Sequence, residues 1–387
     1  MRQFLILACL TAVSTVTAQS PKQVYPNANA NSPFSAAVKA DGLIYVSGTL
    51  GSGGDIKAQT KQVLDNINAT LKTAGSSLAN AASMTVYLRN QSDFAAMNEV
   101  YRTYWTKDLP ARTTVMLPLL NQGLVEIAAV AVPDGGERVV VNPSGWLASP
   151  NPYSYGIRSG NTLFLSGLIS RNGKDNSVIK GDVAAQTKTV MDNADAVLKA
   201  AGMSMSDVVS GRIYITDDSA FQAMNGAWRP YFPSNPPARA TVKATLTSGD
   251  YLVEIQMIAV KGEKKAITTP DEDGKPGRPN ANLSSAIQVG NRLYVAGITG
   301  NTAANKGDVK AQAAESLARI GRTLKAAGYD YSNIVDAVVY LPDLGKFADM
   351  NASYVDKLVK DRPTRATIGA GLMGAGSDVE IMFTAVK

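Results

Sequence analysis

The sequence predicts an α+β fold made of three tandem copies of a β-α-β-α-β-β unit, arranged as an intramolecular pseudo-trimer. Two observations lead to this prediction. A Pro-x-Arg block followed by Val-Glu-Ile occurs three times, and Arg112, Arg239 and Arg365 are spaced by 127 and 126 residues. Each copy also has a strand-like run that ends in glycine and two helix-like runs at matching places. The chain therefore contains three domains of one type.

Each element of the unit has its own signal. Residues 43–48 of the first copy form a strand-like run, and a helix of about twenty residues follows. A second strand comes at residues 85–88, and a second helix starts at Phe94 with Met97 and Tyr101 on one apolar face, which indicates a core stripe. Two final strands carry the arginine and the glutamate. The first helix has the same candidate N-cap and C-terminal stop in each copy: Asp55 and Gly75, Asp182 and Gly202, Asp308 and Gly328.

Both helices of such a unit lie on one face of its sheet, so the other face must be covered. We expect the three repeats to cover one another around a pseudo-threefold axis within a monomer, which creates three clefts. The predicted boundaries are 19–134, 135–262 and 263–387, with residues 263–282 as an exposed linker rich in Lys, Asp, Gly and Pro.

Residues 1–18 are predicted to be an export signal. Arg2 precedes an apolar run, and small residues lead up to Ala18. Cleavage there would remove Cys9, the only cysteine. We therefore expect a periplasmic or secreted protein that has no thiol and no membrane segment after cleavage.

The composition excludes much chemistry. With no histidine, and no cysteine once residues 1–18 are removed, the mature chain lacks the residues of Ser-His-Asp triads, cysteine nucleophiles and zinc fingers. It gives no hint of a metal or an organic cofactor. The net charge of +6 would permit contact with nucleic acid, but no Lys/Arg cluster stands out and only 18% of residues are charged, so no nucleic-acid partner is expected.

The combined motif resembles the Rid/YjgF family, which is also labelled L-PSP endoribonuclease. The motif is a run close to Pro-Ala-Arg-Ala-Thr-Val, then Val-Glu-Ile some fifteen residues later, with Ser-Gly upstream and Met-Asn between. The resemblance covers essentially the whole chain after residue 18. It implies a chorismate-mutase-like domain, a trimer fused into one chain, and deamination of reactive enamines or imines.

The resemblance also implies roles for site residues. The three arginines would anchor a substrate carboxylate, and Glu126, Glu254 and Glu380 would position a water. A tyrosine from the adjoining repeat would complete a cleft, but only Tyr153 keeps it; Phe34 and Leu283 stand in the other copies. The substrate-binding candidates also include Gly48, Gly167, Gly297, Asn98, Asn225 and Asn351, although packing against backbone is the simpler interpretation of the asparagines.

The residues by themselves fit this chemistry. A guanidinium binds a carboxylate through two parallel hydrogen bonds, and a desolvated carboxyl can carry a proton to and from a C=N bond. The leading hypothesis is therefore hydrolysis of small 2-imino acids in the cleft that uses Tyr153, with ammonia release abolished by Arg239→Ala. Simpler interpretations remain open: each arginine could pair with a neighbouring acid, and each glutamate could face solvent. The alternative functions are non-catalytic binding of a carboxylate ligand or a partner protein, and RNA cleavage, for which the chain offers little.

Overall fold

The computed structural model describes residues 22–387. The predicted export signal and Cys9 lie outside the described residues. From residue 22 to the last residue, no helix combines the length and the apolar character needed to cross a membrane.

Each repeat contains the predicted β-α-β-α-β-β order, preceded by two further strands. The first repeat comprises β1 (Gln23–Tyr25), β2 (Ala37–Ala40), β3 (Leu43–Leu50), α1 (Ile56–Thr73), β4 (Ala81–Leu88), α2 (Phe94–Arg102), β5 (Ala111–Met116) and β6 (Val125–Ala131). The second comprises β7 (Val139–Val141), β8 (Gly156–Ser159), β9 (Thr162–Leu165), β10 (Leu168–Ile169), α3 (Val183–Ala200), β11 (Val208–Ile215), α4 (Phe221–Trp228), β12 (Ala238–Lys243) and β13 (Val253–Val260). The third comprises β14 (Lys264–Ile267), β15 (Ala286–Val289), β16 (Arg292–Thr299), α5 (Val309–Ala326), β17 (Ile334–Leu341), α6 (Phe347–Lys357), β18 (Thr364–Gly369), β19 (Gly371–Leu372) and β20 (Glu380–Val386).

The two additional strands are a correction to the predicted order. In the first repeat, β2 and β3 form a hairpin whose turn is Asp41-Gly42, and both turn residues have positive φ, +45° and +73°. Asp-Gly is a strong signal for such a two-residue turn. The strand before it, Ala-Val-Lys-Ala, is short and alanine-rich, so its own strand signal is weak.

The three sheets share one strand order. In the first repeat it is β1-β2-β3-β6-β4-β5, with β4 and β5 parallel and the other pairs antiparallel. The third repeat follows the same order with β14-β15-β16-β20-β17-β18. In the second, β10 also pairs with β13, and β19 of the third repeat pairs with β12. One sheet therefore continues across a boundary between repeats.

The predicted linker is wrong in its first part. Residues 264–267 form β14, the strand that pairs with β15, and Ile267 is buried in the core of the third repeat. Residues 271–276 and 278–281 are exposed, as predicted for that part of the linker. The two lysines of Lys-Lys-Ala-Ile suit an edge strand, but they lie in a segment whose composition is otherwise that of a loop.

The ends of the long helices follow the prediction. In the first repeat the Asp55 carboxylate accepts a hydrogen bond from the main-chain N–H of Ala58 at 2.9 Å, and Gly75 follows the helix with φ +78°. The same cap and the same glycine conformation occur in the other two repeats. Val63, Leu64, Ile67 and Leu71 are buried in the core of the first repeat together with residues of its sheet.

The second face of each sheet is covered by the other repeats. All eight residues of β4 are buried, which requires packing on both faces of the strand. A central apolar cluster contains Tyr87, Tyr214 and Tyr340, one from each repeat. Three main-chain hydrogen bonds join the repeats at equivalent places: Ser154 N to Pro110 O, Ser284 N to Pro237 O, and Ser35 N to Pro363 O, at 3.1, 3.3 and 3.0 Å. The repeats therefore close into a pseudo-threefold ring.

Candidate functional site

Three clefts lie between neighbouring repeats, and each joins an arginine of one repeat to a glutamate of the next in the ring. Each of these arginines interacts electrostatically with the glutamate across its cleft. The ring closes because the arginine of the third repeat meets the glutamate of the first. The pairs are Arg112 with Glu254, Arg239 with Glu380, and Arg365 with Glu126.

A serine at the end of the first long strand holds the arginine main chain in two of the clefts. The N–H of Arg112 donates to Ser166 Oγ at 2.8 Å, and the N–H of Arg365 donates to Ser47 Oγ at 2.9 Å. Each serine hydroxyl in turn donates to a main-chain carbonyl of its own repeat at 2.6 Å. The equivalent residue at the Arg239 cleft is Ala296, which has no hydroxyl. The two serines thus contact the site, and the Arg239 cleft lacks this support.

Aromatic rings surround each guanidinium. The carbon at the centre of the Arg112 guanidinium lies 4.7 Å from the Tyr101 ring centroid, and its counterpart in Arg239 lies 5.3 Å from Trp228. Such contacts stabilise a cation that has been removed from water. The Arg365 guanidinium lies among three rings, Tyr354 at 4.5 Å, Phe34 at 5.3 Å and Phe347 at 5.5 Å.

The arginines are buried, yet their guanidinium N–H groups are largely unpaired. Arg112, Arg239 and Arg365 are each at most 3% exposed. Within residues 22–387, Nε and Nη1 of all three have no hydrogen-bond partner, and neither has Nη2 of Arg365. Burial lowers the pKa of all three guanidiniums, to about 10 for Arg239. A buried cationic donor without a partner costs free energy, so these groups are suited to receive an anion.

The facing glutamates are buried as well. Burial raises the pKa of the carboxyls of Glu126, Glu254 and Glu380 to about 8, and the facing arginine acts in the opposite direction in each cleft. The N–H of Thr114 also donates to Glu254 Oε1 at 3.2 Å, which lowers the pKa of that carboxyl. Near neutral pH these carboxyls can therefore both give and accept a proton. Throughout residues 22–387 these arginines form no ion pair within 4 Å, although each faces a glutamate of the neighbouring repeat, and the glutamates are buried and do not face solvent.

Glycine allows each glutamate to enter its cleft. Gly48 follows Ser47 at an irregularity in the β3–β6 pairing, and a Cβ atom built on it would overlap Oε1 of Glu126. A Cβ atom at Gly167 or at Gly297 would overlap the carboxylate of Glu254 or Glu380 in the same way. Glycine is therefore needed at these three positions to leave room for the glutamate side chain. It is not needed for backbone conformation, because the φ angles are outside the left-handed region.

The aromatic position distinguishes the clefts. Tyr153 lines the cleft of Arg112 and Glu254, and burial raises the pKa of its hydroxyl. Phe34 lines the cleft of Arg365 and Glu126. The expectation that Arg239→Ala would test the Tyr153 cleft is thus wrong, because Tyr153 belongs with Arg112. The main-chain hydrogen bond between Ser284 and Pro237 places the segment that carries Leu283 beside Arg239.

One of the three asparagines and the first aromatic residue of each second helix contact the arginines. Asn225 Oδ1 accepts a hydrogen bond from Arg239 Nη2 at 2.7 Å, so its partner is the arginine and not the backbone. Among the described residues, Oδ1 of Asn98 and of Asn351 has no partner. Phe94, predicted as part of a core stripe, is half-buried and lies 6.0 Å from the Arg112 guanidinium, whereas Met97 and Tyr101 are in the core.

The clefts differ in size. The Arg365 cleft encloses about 550 Å³ and the Arg112 cleft about 20 Å³. The larger cleft is bordered by Leu120 and Asn121 from the β5–β6 loop and by Thr70 of α1. Sequence analysis did not identify these residues, and the only signal was that the loop of the first repeat is one residue shorter than the others.

Comparison with known proteins identifies the family. A family model described as endoribonuclease L-PSP matches residues 25–133, 146–261 and 275–387, which together are most of the chain. The chain belongs to this family. The prediction of three Rid/YjgF domains is therefore confirmed.

Individual relatives of Rid/YjgF type match one repeat at a time. A RutC family protein of Sulfurisphaera tokodaii is 41% identical over 111 residues, which are 29% of this chain and 89% of that protein. A RutC family protein of Pyrococcus horikoshii is 40% identical over 110 residues, 28% of this chain and 87% of that protein. The solved structure of a chorismatase covers 79% of this chain and 93% of its own, with a TM-score of 0.57 at 13% identity, which shows a shared fold alone. Membership of the Rid/YjgF family supports imine-deaminase or L-PSP-type function at the level of the family.

Proposed function

We propose that the protein hydrolyses reactive imines or enamines of the 2-imino acid type to 2-oxo acids and ammonia. One observation carries the proposal. In each cleft a buried arginine with unpaired guanidinium N–H groups faces a buried carboxyl whose pKa burial raises to about 8. The first group fits the substrate carboxylate, and the second fits proton transfer beside it.

The arginine binds and orients the substrate. Two parallel N–H bonds from Nε and Nη2, or from the two terminal nitrogens, would hold the carboxylate in the plane of the guanidinium. The adjacent C=N carbon is thereby fixed near the glutamate of the next repeat. Because the arginine main chain is itself bonded to Ser166 or Ser47 in two clefts, the position of this anchor is set by both repeats.

The glutamate moves the proton. In its protonated form it donates to the imine nitrogen, which makes the C=N carbon electrophilic. The resulting carboxylate accepts a proton from water as the hydroxyl adds to that carbon, and the same carboxyl then protonates the nitrogen, which leaves as ammonia. The remaining hydroxyl returns its proton to the glutamate carboxylate as its oxygen becomes the carbonyl of the 2-oxo acid, which restores the protonated carboxyl. Such acid–base catalysis contributes about 10²- to 10⁴-fold in rate.

The clefts are proposed to differ in competence. The Arg112 cleft has the Tyr153 hydroxyl and Ser166, and the Arg365 cleft has Ser47 with Phe34 in place of the tyrosine. At the Arg239 cleft both the aromatic and the serine are replaced, by Leu283 and Ala296, and Asn225 occupies one guanidinium nitrogen. These replacements favour carboxylate binding without turnover in that cleft.

The decisive test is a coupled assay in which an amino-acid oxidase generates 2-imino acids and semicarbazide traps what remains. The wild type is expected to reduce trapping, and the variant with all three arginines replaced by methionine is expected to equal the protein-free reaction. Methionine keeps the side-chain volume and removes the charge. Double variants that retain only Arg112 or only Arg365 should be active, and the one that retains only Arg239 should not.

The matched control is Arg158→Met, at an arginine that pairs with Glu137 on the surface. Acceleration by the folded triple variant would contradict the proposal. RNA cleavage is the other function that the family supports. An RNase activity that survives in the triple variant would come from a contaminant, because that variant has lost the arginine of every cleft.

Replacing Gly48 by alanine is expected to expel the Glu126 carboxyl from its cleft. The added Cβ would overlap that carboxylate, which is the end of a flexible side chain and can rotate away, so the fold should persist. In a background that retains only Arg365, turnover should fall by about 10²-fold or more. Gly226→Ala, in an open position on α4, is the control and should leave turnover unchanged. If Gly48→Ala had the same turnover as the background that retains only Arg365, Glu126 would not need to occupy the observed position.

A further inference from the structure

Each cleft has its own arginine and glutamate, but the volume next to this pair differs between clefts. The Arg365 cleft, of about 550 Å³, lies in the usual range for ligand pockets. The Arg112 cleft, of about 20 Å³, has room for about one water beside the guanidinium, so only a small carboxylate can enter it, and only when the lining side chains move apart. Two sites with the same anchor in one chain can therefore select ligands by the size of the group attached to the carboxylate.

The loops that border the two clefts also differ in length. Between β5 and β6 the first repeat has residues 117–124, whereas the second has residues 244–252, one more. The shorter loop forms a 3₁₀ turn at Leu120–Gln122 in which Asn121 takes φ +47°, and it borders the Arg365 cleft. The longer loop places Thr247 at the Arg112 cleft, where Ile169 and Tyr153 also lie.

The larger cleft joins apolar walls to the anion-binding group. Phe34, Phe347, Leu50 and Leu120 line it together with Arg365. In the part of the chain that the structure describes, Nε, Nη1 and Nη2 of Arg365 have no hydrogen-bond partner. A ligand that suits both features has a carboxylate at one end and an apolar body at the other.

We propose that the Arg365 cleft binds carboxylates with a bulky apolar side chain, the class of aromatic and branched 2-oxo and 2-imino acids, and that the Arg112 cleft excludes them. This inference rests on the proposed function of the clefts. It adds that the fused chain handles substrates of two sizes at two places. Thr70 is the residue at which the size of the cleft can be changed, because it lines the larger cleft from the last turn of α1 and contributes no charge.

The test is isothermal titration calorimetry of the full chain with phenylpyruvate and with pyruvate, two stable 2-oxo acids that differ in side-chain size. Phenylpyruvate should bind the wild type and Arg112→Met equally. Its affinity should fall on the order of 100-fold in Arg365→Met, because a buried charged partner of the carboxylate is lost. Thr70→Trp should abolish phenylpyruvate binding and preserve pyruvate binding, since it fills the cleft and leaves Arg365 and Glu126 in place.

Ala69→Trp, at an exposed position next to Thr70 on the same helix, is the matched control and should bind both acids like the wild type. Binding of phenylpyruvate that depends on Arg112 would overturn the inference while leaving the proposed function intact. So would binding of pyruvate alone, or phenylpyruvate binding that Thr70→Trp does not change. Failure of both acids to bind any arginine cleft would overturn the proposed function as well.

Discussion

Replacing Glu126, Glu254 and Glu380 together by glutamine is expected to lower kcat for 2-imino acid hydrolysis by about 10²- to 10⁴-fold. Glutamine has the same shape as glutamate but neither gives nor takes a proton in the relevant pH range. The arginines stay in place, so KM for the substrate and binding of a 2-oxo acid should change little. A large fall in kcat with unchanged binding is the signature of a group that acts in the chemical step.

This variant separates an enzyme from a binding module. If the clefts only held carboxylates, there would be no turnover to lose, and binding of a 2-oxo acid would be nearly unchanged in the variant. Glu137→Gln, at the exposed partner of Arg158, controls for the loss of a negative charge at the surface. Turnover within a factor of about two of wild type would remove the glutamates from the mechanism, since the loss of a positioned general acid–base has a larger effect than that.

Raising the pH from about 5 to about 8 is expected to lower the free energy of unfolding of the wild type. Each of the three glutamate carboxyls has its pKa raised by burial from the ordinary value of 4.5 to about 8, against the opposing charge of an arginine. Between these values the folded chain holds a proton on each carboxyl and the unfolded chain does not. Because the folded state binds more protons, stability is full below the lower value and decreases as pH rises toward the upper one.

The size of this effect is on the order of a few kcal/mol for each carboxyl across that range. Urea unfolding at several pH values, for the wild type and for the triple glutamine variant, measures it. The free energy of unfolding of the variant should depend less on pH than that of the wild type. The chain has no histidine, so few other side chains titrate in this window. A wild-type stability that is constant or that increases with pH would contradict the buried, protonated state of the glutamates.

Much of the unit could be predicted because its signals are local. The aspartate N-caps, the terminal glycines and the apolar helix faces depend on a few neighbouring residues, and the structure has them where they were predicted. The hairpin that opens each repeat was missed because β2 is alanine-rich and short. The strand of residues 264–267 was missed because a loop-like segment follows it directly.

The pairing of site residues across repeats was harder to predict from the sequence. The sequence supplied three arginines and three glutamates, but it did not contain the direction in which the ring closes. That direction is set by packing between sheets, through contacts such as Ser154 with Pro110, which join residues far apart in the chain. Tyr153 was accordingly assigned to the wrong arginine. The Arg365 cleft is bordered by a turn in which both Asn121 and Gln122 have positive φ, and no periodicity encodes that turn.

The cyclic pairing of arginine and glutamate has a consequence for how such a chain can change. In a symmetric homotrimer every substitution is copied into all sites at once, so no site can be altered alone. Here each cleft takes its arginine and its glutamate from different repeats, and each repeat serves two clefts. Deleting the first repeat would remove Arg112 from one cleft and Glu126 from another, and would leave only the Arg239 and Glu380 pair complete. Fusion thus lets each site diverge by point substitution, while making the loss of any whole repeat damaging to two sites together.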